Sequence, residues 1–152
     1  MKIDFGAGKF PAPGYKTLDK FPPADIICDL TKEKIPLPDN SVEEGNASNL
    51  LEHFSSGDEI ISVMNEIWRV MEPGGIFHAI VPRAPLAAAF RDPTHKSFWV
   101  LESFHYYNYE HPHWKMYGSA YGIKPWKILK LKRKKEFICC DMTPLKESTC
   151  NK

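Results

Sequence analysis

Apolar and polar positions alternate in short bursts through the first half of the chain and switch once to a helical period. Lys2-Ile3-Asp4-Phe5 reads as a short strand running into the turn Gly6-Ala7-Gly8. Pro11, Pro13 and Gly14 exclude a regular helix from Lys9 to Lys16. Brief strands follow at Thr17-Leu18-Asp19 and at Asp25-Ile26-Ile27-Cys28-Asp29. After a turn-rich loop over 35–41 comes a fourth, Val42 to Ser48, weakened by Glu43, Glu44 and Gly45. Ser56-Gly57-Asp58-Glu59 has the form of a capping box, with Ser56 as N-cap and Glu59 reaching back. Ile60, Met64, Ile67, Trp68 and Met71 then recur at helical spacing as a buried stripe. Pro73-Gly74-Gly75 reads as the stop, and Ile76 to Val81 as a buried strand ended by Pro82. This order predicts an α/β sheet with parallel strands.

From Arg83 to Pro125 the pattern breaks into an aromatic, histidine-rich stretch, read mainly as a satellite core under a long insertion. Trp126 to Leu131, the charged tip 132–135 and Glu136 to Met142 then predict an antiparallel hairpin on one sheet edge. The expectation is one domain over 1–152: a cofactor-binding region over 1–82, an acceptor-side insertion over 83–126 and a hairpin over 127–145. Lys146 to Lys152 is expected to fray. With 43% hydrophobic and 26% charged residues the chain has a globular composition. No apolar run is long enough to cross a bilayer, and the N-terminus lacks a secretory signal. Cys28, Cys139, Cys140 and Cys150 match no zinc spacing and read as reduced thiols of a cytoplasmic protein. Charge divides the chain: residues 1–82 carry 7 Lys/Arg against 13 Asp/Glu, and residues 83–152 carry 13 against 6. That asymmetry suits either a cofactor region joined to an acceptor region or two solvated faces of one domain.

The candidate chemistry lies at strand ends. Asp4 precedes a glycine pair that permits positive φ and close approach of a ligand. Asp19 ends the second strand, where a carboxylate can accept both hydroxyls of a ribose. Asp29 and Leu30 end the third, where a carboxylate can accept from an exocyclic amine. Three acids on three successive short strands suit a nucleoside-containing ligand. No lysine and hydroxyl pair follows Gly8 as in a phosphate loop, and Pro11 stands where a dinucleotide fingerprint has its third glycine. ATP and nicotinamide readings are disfavoured accordingly.

These pieces stand in a set order: Asp4-x-Gly6-x-Gly8, Pro13-Gly14-Tyr15-x-x-x-Asp19 and Ala24-Asp25-Ile26-Ile27-x-Asp29-Leu30. Leu37-Pro38-Asp39-Asn40-Ser41, Leu50-Leu51-Glu52-His53-Phe54 and Glu66-Ile67-Trp68-Arg69-Val70-Met71-x-Pro73-Gly74-Gly75 follow. The order, unbroken over about residues 2–82, resembles class I S-adenosylmethionine-dependent methyltransferases. Asp92-Pro93-Thr94-His95 with Glu102-Ser103-Phe104 adds to the resemblance. It implies a Rossmann-like methyltransferase sheet, mostly parallel with a C-terminal antiparallel hairpin, and S-adenosylmethionine as cofactor. Gly6, Ala7 and Gly8 would then line the amino-acid end, with Asp4 supporting its ammonium. Asp19 would take the ribose and Asp29 and Leu30 the adenine. Ala47 and Ser48 would lie near the methionine moiety, and Asn49 to His53 would open beside the site. Ala7 stands harmlessly where the family has Cys or another small residue, and Glu72 replaces a usual lysine at a peripheral position.

Two departures carry more weight. The family's N-terminal covering helices are absent from the sequence given, and ten residues between Gly8 and Asp19 are too few for a full crossover helix. One sheet face is therefore expected to be thinly covered, and an apolar patch there would call for self-association, a partner, or shielding by the aromatic segment. The acceptor is expected to be a small molecule, and His95 is the candidate general base. His53 is expected either to face the cleft or to pack. Lys127, Lys130, Lys132, Arg133, Lys134 and Lys135 read first as protection of an edge strand, with nucleic-acid binding the lesser reading. No metal is expected, since no carboxylate or cysteine set completes a tetrahedron around His105, His111 and His113. The competing function is a non-catalytic subunit of the same fold that activates or scaffolds a partner.

Overall fold

The computed structural model describes residues 1–147. Cys150 and most of the tail expected to fray lie outside the described residues. Lys146 itself is anchored: its Nζ donates to the carbonyls of Arg69 (2.9 Å) and Met71 (2.5 Å) and to Asn40 Oδ1 (2.5 Å).

Seven strands form one sheet in the order β3-β2-β1-β4-β5-β7-β6. They are β1 (Lys2–Phe5), β2 (Lys16–Asp19), β3 (Ile26–Ile27), β4 (Val42–Ser48), β5 (Met71–Pro82), β6 (Trp126–Lys134) and β7 (Phe137–Pro144). The first five pair in parallel, and β7 runs antiparallel between β5 and β6. The α/β class, the parallel register and the C-terminal hairpin are those expected from the sequence. The order reverses between β1 and β4, so their carboxyl ends diverge and leave a crevice for a ligand.

Helix α1 (Asp58–Val70) connects β4 to β5 and buries Ile60, Val63, Met64, Ile67 and Val70. Its boundaries correct the sequence reading at both ends. Gly57, at φ 82°, is the N-cap and makes no side-chain cap, while Glu59 Oε1 accepts from Ser55 N–H at 2.9 Å. Ser56 lies one residue too far out for the expected box, because the chain turns through Gly57 before helical geometry begins. At the other end β5 starts at Met71, directly after Val70, and includes Pro73-Gly74-Gly75. Pairing of Met71 with Val42 across a bulge draws this stretch into the sheet.

The aromatic stretch is not a satellite. Trp99, Phe104, Tyr107, Ile123 and Trp126 belong to the same buried cluster as Phe5, Phe77 and Met142. It contains only short turns of helix: α2 (Ala87–Phe90), a 3-10 turn at Leu101–Tyr106 and a π turn at Trp114–Gly118. Trp68 Nε1 donates to Pro125 O (2.9 Å), and Asn65 bonds Gly122 O and Lys124 N–H, fastening the stretch to α1.

All this packing lies on one face of the sheet, where Phe5 meets Leu18 and Gly45 meets Phe77 in register. The opposite face carries the cross-strand row Thr17, Asp4, Asn46, His78, Asp141 and Lys130. Lys2 Nζ bridges Glu44 at 2.8 Å, Tyr15 donates to Glu44, and His78 contacts Asp141 at 2.7 Å. The thinly covered face is mostly polar, with Ile76, Ile80 and Cys139 as its apolar members, and its polar side chains satisfy one another or water.

Candidate functional site

Two clefts of the described residues concern the strand ends. One, of about 750 Å³, runs along α1 and shares Leu30, Thr31 and Lys32 with the other. The other, of about 1050 Å³, lies over the carboxyl ends of β1, β2 and β3. Its lining includes Gly6, Ala7, Gly8, Asp19, Asp29 and Leu30, so six of the candidate cofactor-binding residues meet there.

The turn at the end of β1 is built for close approach. Gly6 N–H (2.7 Å) and Ala7 N–H (3.3 Å) both donate to Leu18 O, which turns the chain off the sheet at once. Gly6 (φ 65°) and Gly8 (φ 55°) occupy the left-handed region. A Cβ on Gly6 would sit 2.4 Å from Leu50 Cδ1, so a side chain there would be strained by its φ and would also displace the end of Leu50. Asp19 fixes the turn from β2: its Oδ2 accepts from Gly8 N–H (3.0 Å) and its Oδ1 from Phe21 N–H (3.1 Å). Each carboxylate oxygen retains a lone pair for a further donor, such as a ribose hydroxyl.

Asp29 closes the far end. Thr31 donates to Asp29 Oδ1 from both its hydroxyl (2.7 Å) and its N–H (3.0 Å), and these bonds hold the Asp29 carboxyl below the usual carboxylate range. Asp29 stays ionised and can accept from an amine. Leu30, Leu50, Phe54 and the Phe21–Ala24 segment supply apolar walls between the polar ends.

The remaining candidates lie outside the lining. Asp4 is buried behind it, its carboxylate accepting from Ala12 N–H (2.8 Å) and Asn46 Nδ2 (2.7 Å) and pinning the 8–16 segment. Ala47 is buried on the core face, and Ser48 is exposed beside the cleft; Asn49 and Leu50, just beyond them, form the wall. Sequence reasoning did not single out Thr17, Lys20, Phe21, Thr31, Phe54 or Lys96, which converge only through the fold.

His53 stands on the cleft wall and His95 behind it, their rings edge-on at 5.0 Å. His95 has only 7% of its side chain exposed, and its Nδ1 bonds Ala89 O at 2.9 Å. Between them Glu52 is buried, with neither carboxylate oxygen hydrogen-bonded within the described residues. Burial pushes its carboxyl up to about 7. Burial also lowers the His53 imidazole, and His95 nearby adds to that. The Glu52 carbonyl accepts from Lys96 N–H (2.7 Å) and Ser97 N–H (3.1 Å), which docks the segment after β5 against this cluster.

Comparison with known proteins finds similarity in sequence and in fold. Residues 16–79 match a family model described as a methyltransferase domain. Among solved structures, a S-adenosylmethionine-dependent methyltransferase of Archaeoglobus fulgidus aligns with TM-score 0.60 at 13% identity, covering 93% of this chain and 85% of that one. A S-adenosylmethionine-dependent methyltransferase of Aquifex aeolicus aligns with TM-score 0.57 at 15% identity, covering 95% and 81%. A third similar structure, from Haloferax volcanii, is a complex of the Trm112 methyltransferase activator with a methyltransferase; it gives TM-score 0.62 at 11% identity, covering 95% and 82%. A search of curated protein sequences finds no match.

Proposed function

In the family match of residues 16–79 and in its fold, the chain resembles class I S-adenosylmethionine-dependent methyltransferases; from that premise we propose that it binds S-adenosylmethionine in the strand-end cleft and transfers the methyl group to a small acceptor. Enzyme class and cofactor follow from the resemblance, and the acceptor and its atom are proposed.

One observation carries the assignment: a glycine turn, two strand-end carboxylates and an apolar wall open on one cleft, in the order an adenosyl amino acid needs. In the proposal Asp19 takes the ribose hydroxyls, Asp29 and Leu30 the adenine, and the 6–8 turn the amino-acid end. Ala47 and Ser48 would support the methionine end from behind Asn49 and Leu50, and Asp4 would act by holding the 8–16 segment. The bound cofactor supplies an electrophilic methyl on a sulfonium. This chain's residues align the acceptor and exclude water. Any proton lost by the acceptor would pass to the His53 imidazole at the wall or to solvent. The acceptor end falls at the wall formed by His53 and Lys96. His95, the base candidate from sequence, acts there through the cluster it shares with His53 and Glu52.

Isothermal titration with S-adenosylhomocysteine tests the assignment. Asp19→Ala removes charge-assisted bonds worth about 1.5–3 kcal/mol and lowers affinity roughly 10- to 100-fold. Unchanged affinity would overturn the site.

A second reading, a subunit that supports a partner, is favoured by one feature. The free edge of the sheet at β3 carries Ile27 (52% exposed) beside Phe21 (65% exposed). Under that reading the isolated chain binds S-adenosylhomocysteine yet methylates nothing, and Ile27→Asp, outside the cleft lining, abolishes partner binding while cofactor affinity is kept.

A further inference from the structure

The cluster behind the His53 wall turns the free ring nitrogens of His53 and His95 onto the buried Glu52 carboxyl group, with Asp92 at its rim. Thr94 donates its hydroxyl hydrogen to Asp92 Oδ1 (2.7 Å), so its Oγ1 is left to accept from His53 Nδ1 at 3.1 Å. The His53 proton therefore sits on Nδ1, and its Nε2 lone pair is free. At His95 the Nδ1 proton goes to Ala89 O (2.9 Å), which frees Nε2 in the same way. Both Nε2 atoms face Glu52 Oε1, at 3.9 Å from His53 and 4.0 Å from His95. Asp92 Oδ2 joins from the open side, 3.7 Å from His95 Nε2.

These gaps are too long for hydrogen bonds. They are close to the separation of two ligands on one small cation, roughly 3.4 Å for bonds of about 2.1 Å at a tetrahedral angle. Glu52 Oε1, His53 Nε2 and His95 Nε2 all lie within 4.8 Å of one another. Glu52 is 1% exposed, and both its oxygens lack a partner among the described residues. An ionised carboxylate buried without hydrogen bonds is costly unless a cation meets it. Each imidazole is also held by a fixed partner on its far nitrogen, the usual support of a metal-ligating histidine.

We propose that Glu52, His53 and His95 form a three-ligand binding site for a divalent transition-metal ion of the zinc class, with Asp92 at its rim. Two imidazoles and a carboxylate suit such an ion better than a soft or an alkaline-earth cation. His53 is about a third exposed and lines the cleft, so the site has a side facing the cofactor pocket. Resting on the functional reading above, that side is where an oxygen of the acceptor would complete the coordination beside the methyl group. The sequence reading, which expected no metal, looked for donors along the chain; this set joins a turn after β4 to a turn after β5.

His105, His111 and His113 also converge within 4.8 Å, on the surface of the aromatic stretch. They are the main source of a false positive, so the test is made in a His105→Gln/His111→Gln background. Protein stripped with a chelator is titrated with zinc against a chromophoric competitor. The proposal predicts one zinc ion held tighter than micromolar in that background. Glu52→Gln and His95→Gln should each weaken it at least about 100-fold, and the exposed Thr94→Ala about 10-fold through loss of its support to His53. Circular dichroism checks that each variant folds, and Thr94→Ala keeps the test usable if the buried variants do not. No zinc bound in that background, or affinity unchanged in Glu52→Gln, His95→Gln and Thr94→Ala, would overturn the site. Titrating the same background protein with S-adenosylhomocysteine separates the two readings: zinc without cofactor binding refutes only the cofactor assignment, and cofactor without zinc refutes only the metal site.

Discussion

Gly6 is the most constrained residue of the cleft, because it needs positive φ and also the space where a Cβ would strike Leu50. Gly14 has positive φ as well (85°), yet nothing lies within 4 Å of its would-be Cβ. Gly14→Ala should therefore cost about 1 kcal/mol of backbone strain and leave S-adenosylhomocysteine affinity unchanged. Gly6→Ala adds overpacking of about 1–3 kcal/mol and should lower affinity at least tenfold, because Leu50 must leave the cleft wall. Thermal unfolding and calorimetry distinguish the two, and equal effects on binding would remove Gly6 from the site. Gly6, Gly8, Asp19 and Asp29 line the cleft as expected because of their order along the chain, since a glycine turn or a strand-end acid alone is commonly only a turn feature. Phe21, Phe54 and Lys96 were not singled out, since an apolar or basic residue in a loop carries no local sign of what it will face.

Among the elements, the long loop between β3 and β4 is held without a helix of its own. Arg69 near the end of α1 donates to the carbonyls of Ile35 (2.9 Å) and Leu37 (3.0 Å) and to Asp39 (2.6 Å), while Glu66 accepts from Ile35 N–H (2.9 Å) and from Arg69. Burial acts to raise the Glu66 carboxyl, but the bonds from Arg69 and Ile35 outweigh it and leave it below its ordinary value of 4.5. A depressed carboxyl contributes stability above its unfolded value, and that stability is lost as pH falls through the folded one. The melting temperature of the unmodified chain should thus fall more between pH 5 and pH 3 than that of Glu66→Gln; parallel curves would contradict this role. The helix and most strands were legible because their buried periods are 3.6 and 2. The ends of α1 were not, because Gly57 and the pairing of Met71 with Val42 are decided by the turn and the sheet.

For the whole molecule, a sheet with helical cover on one side survives because its other side is polar. Asp4, Glu44, Asn46, His78 and Asp141 alternate with the core residues along their strands, although only register shows that Asp4, Asn46, His78 and Asp141 form one row with Glu44 in the next. Glu44→Leu with His78→Leu should make that face more apolar and produce concentration-dependent association in sedimentation velocity that the unmodified chain lacks. Equal association of both forms would mean that this face is already an interface. Among the described residues no helix is long and apolar enough to cross a membrane.

The central claim is that one cleft over β1, β2 and β3 receives an adenosyl amino acid, and a crystal structure with S-adenosylhomocysteine bound tests it most directly. The claim predicts ribose hydroxyls on Asp19, adenine between Asp29 and Leu30, the amino-acid end at Gly6–Gly8 and the sulfur toward His53. Density for the ligand in the cleft beside α1, or nowhere on the protein at saturating concentration, would contradict it.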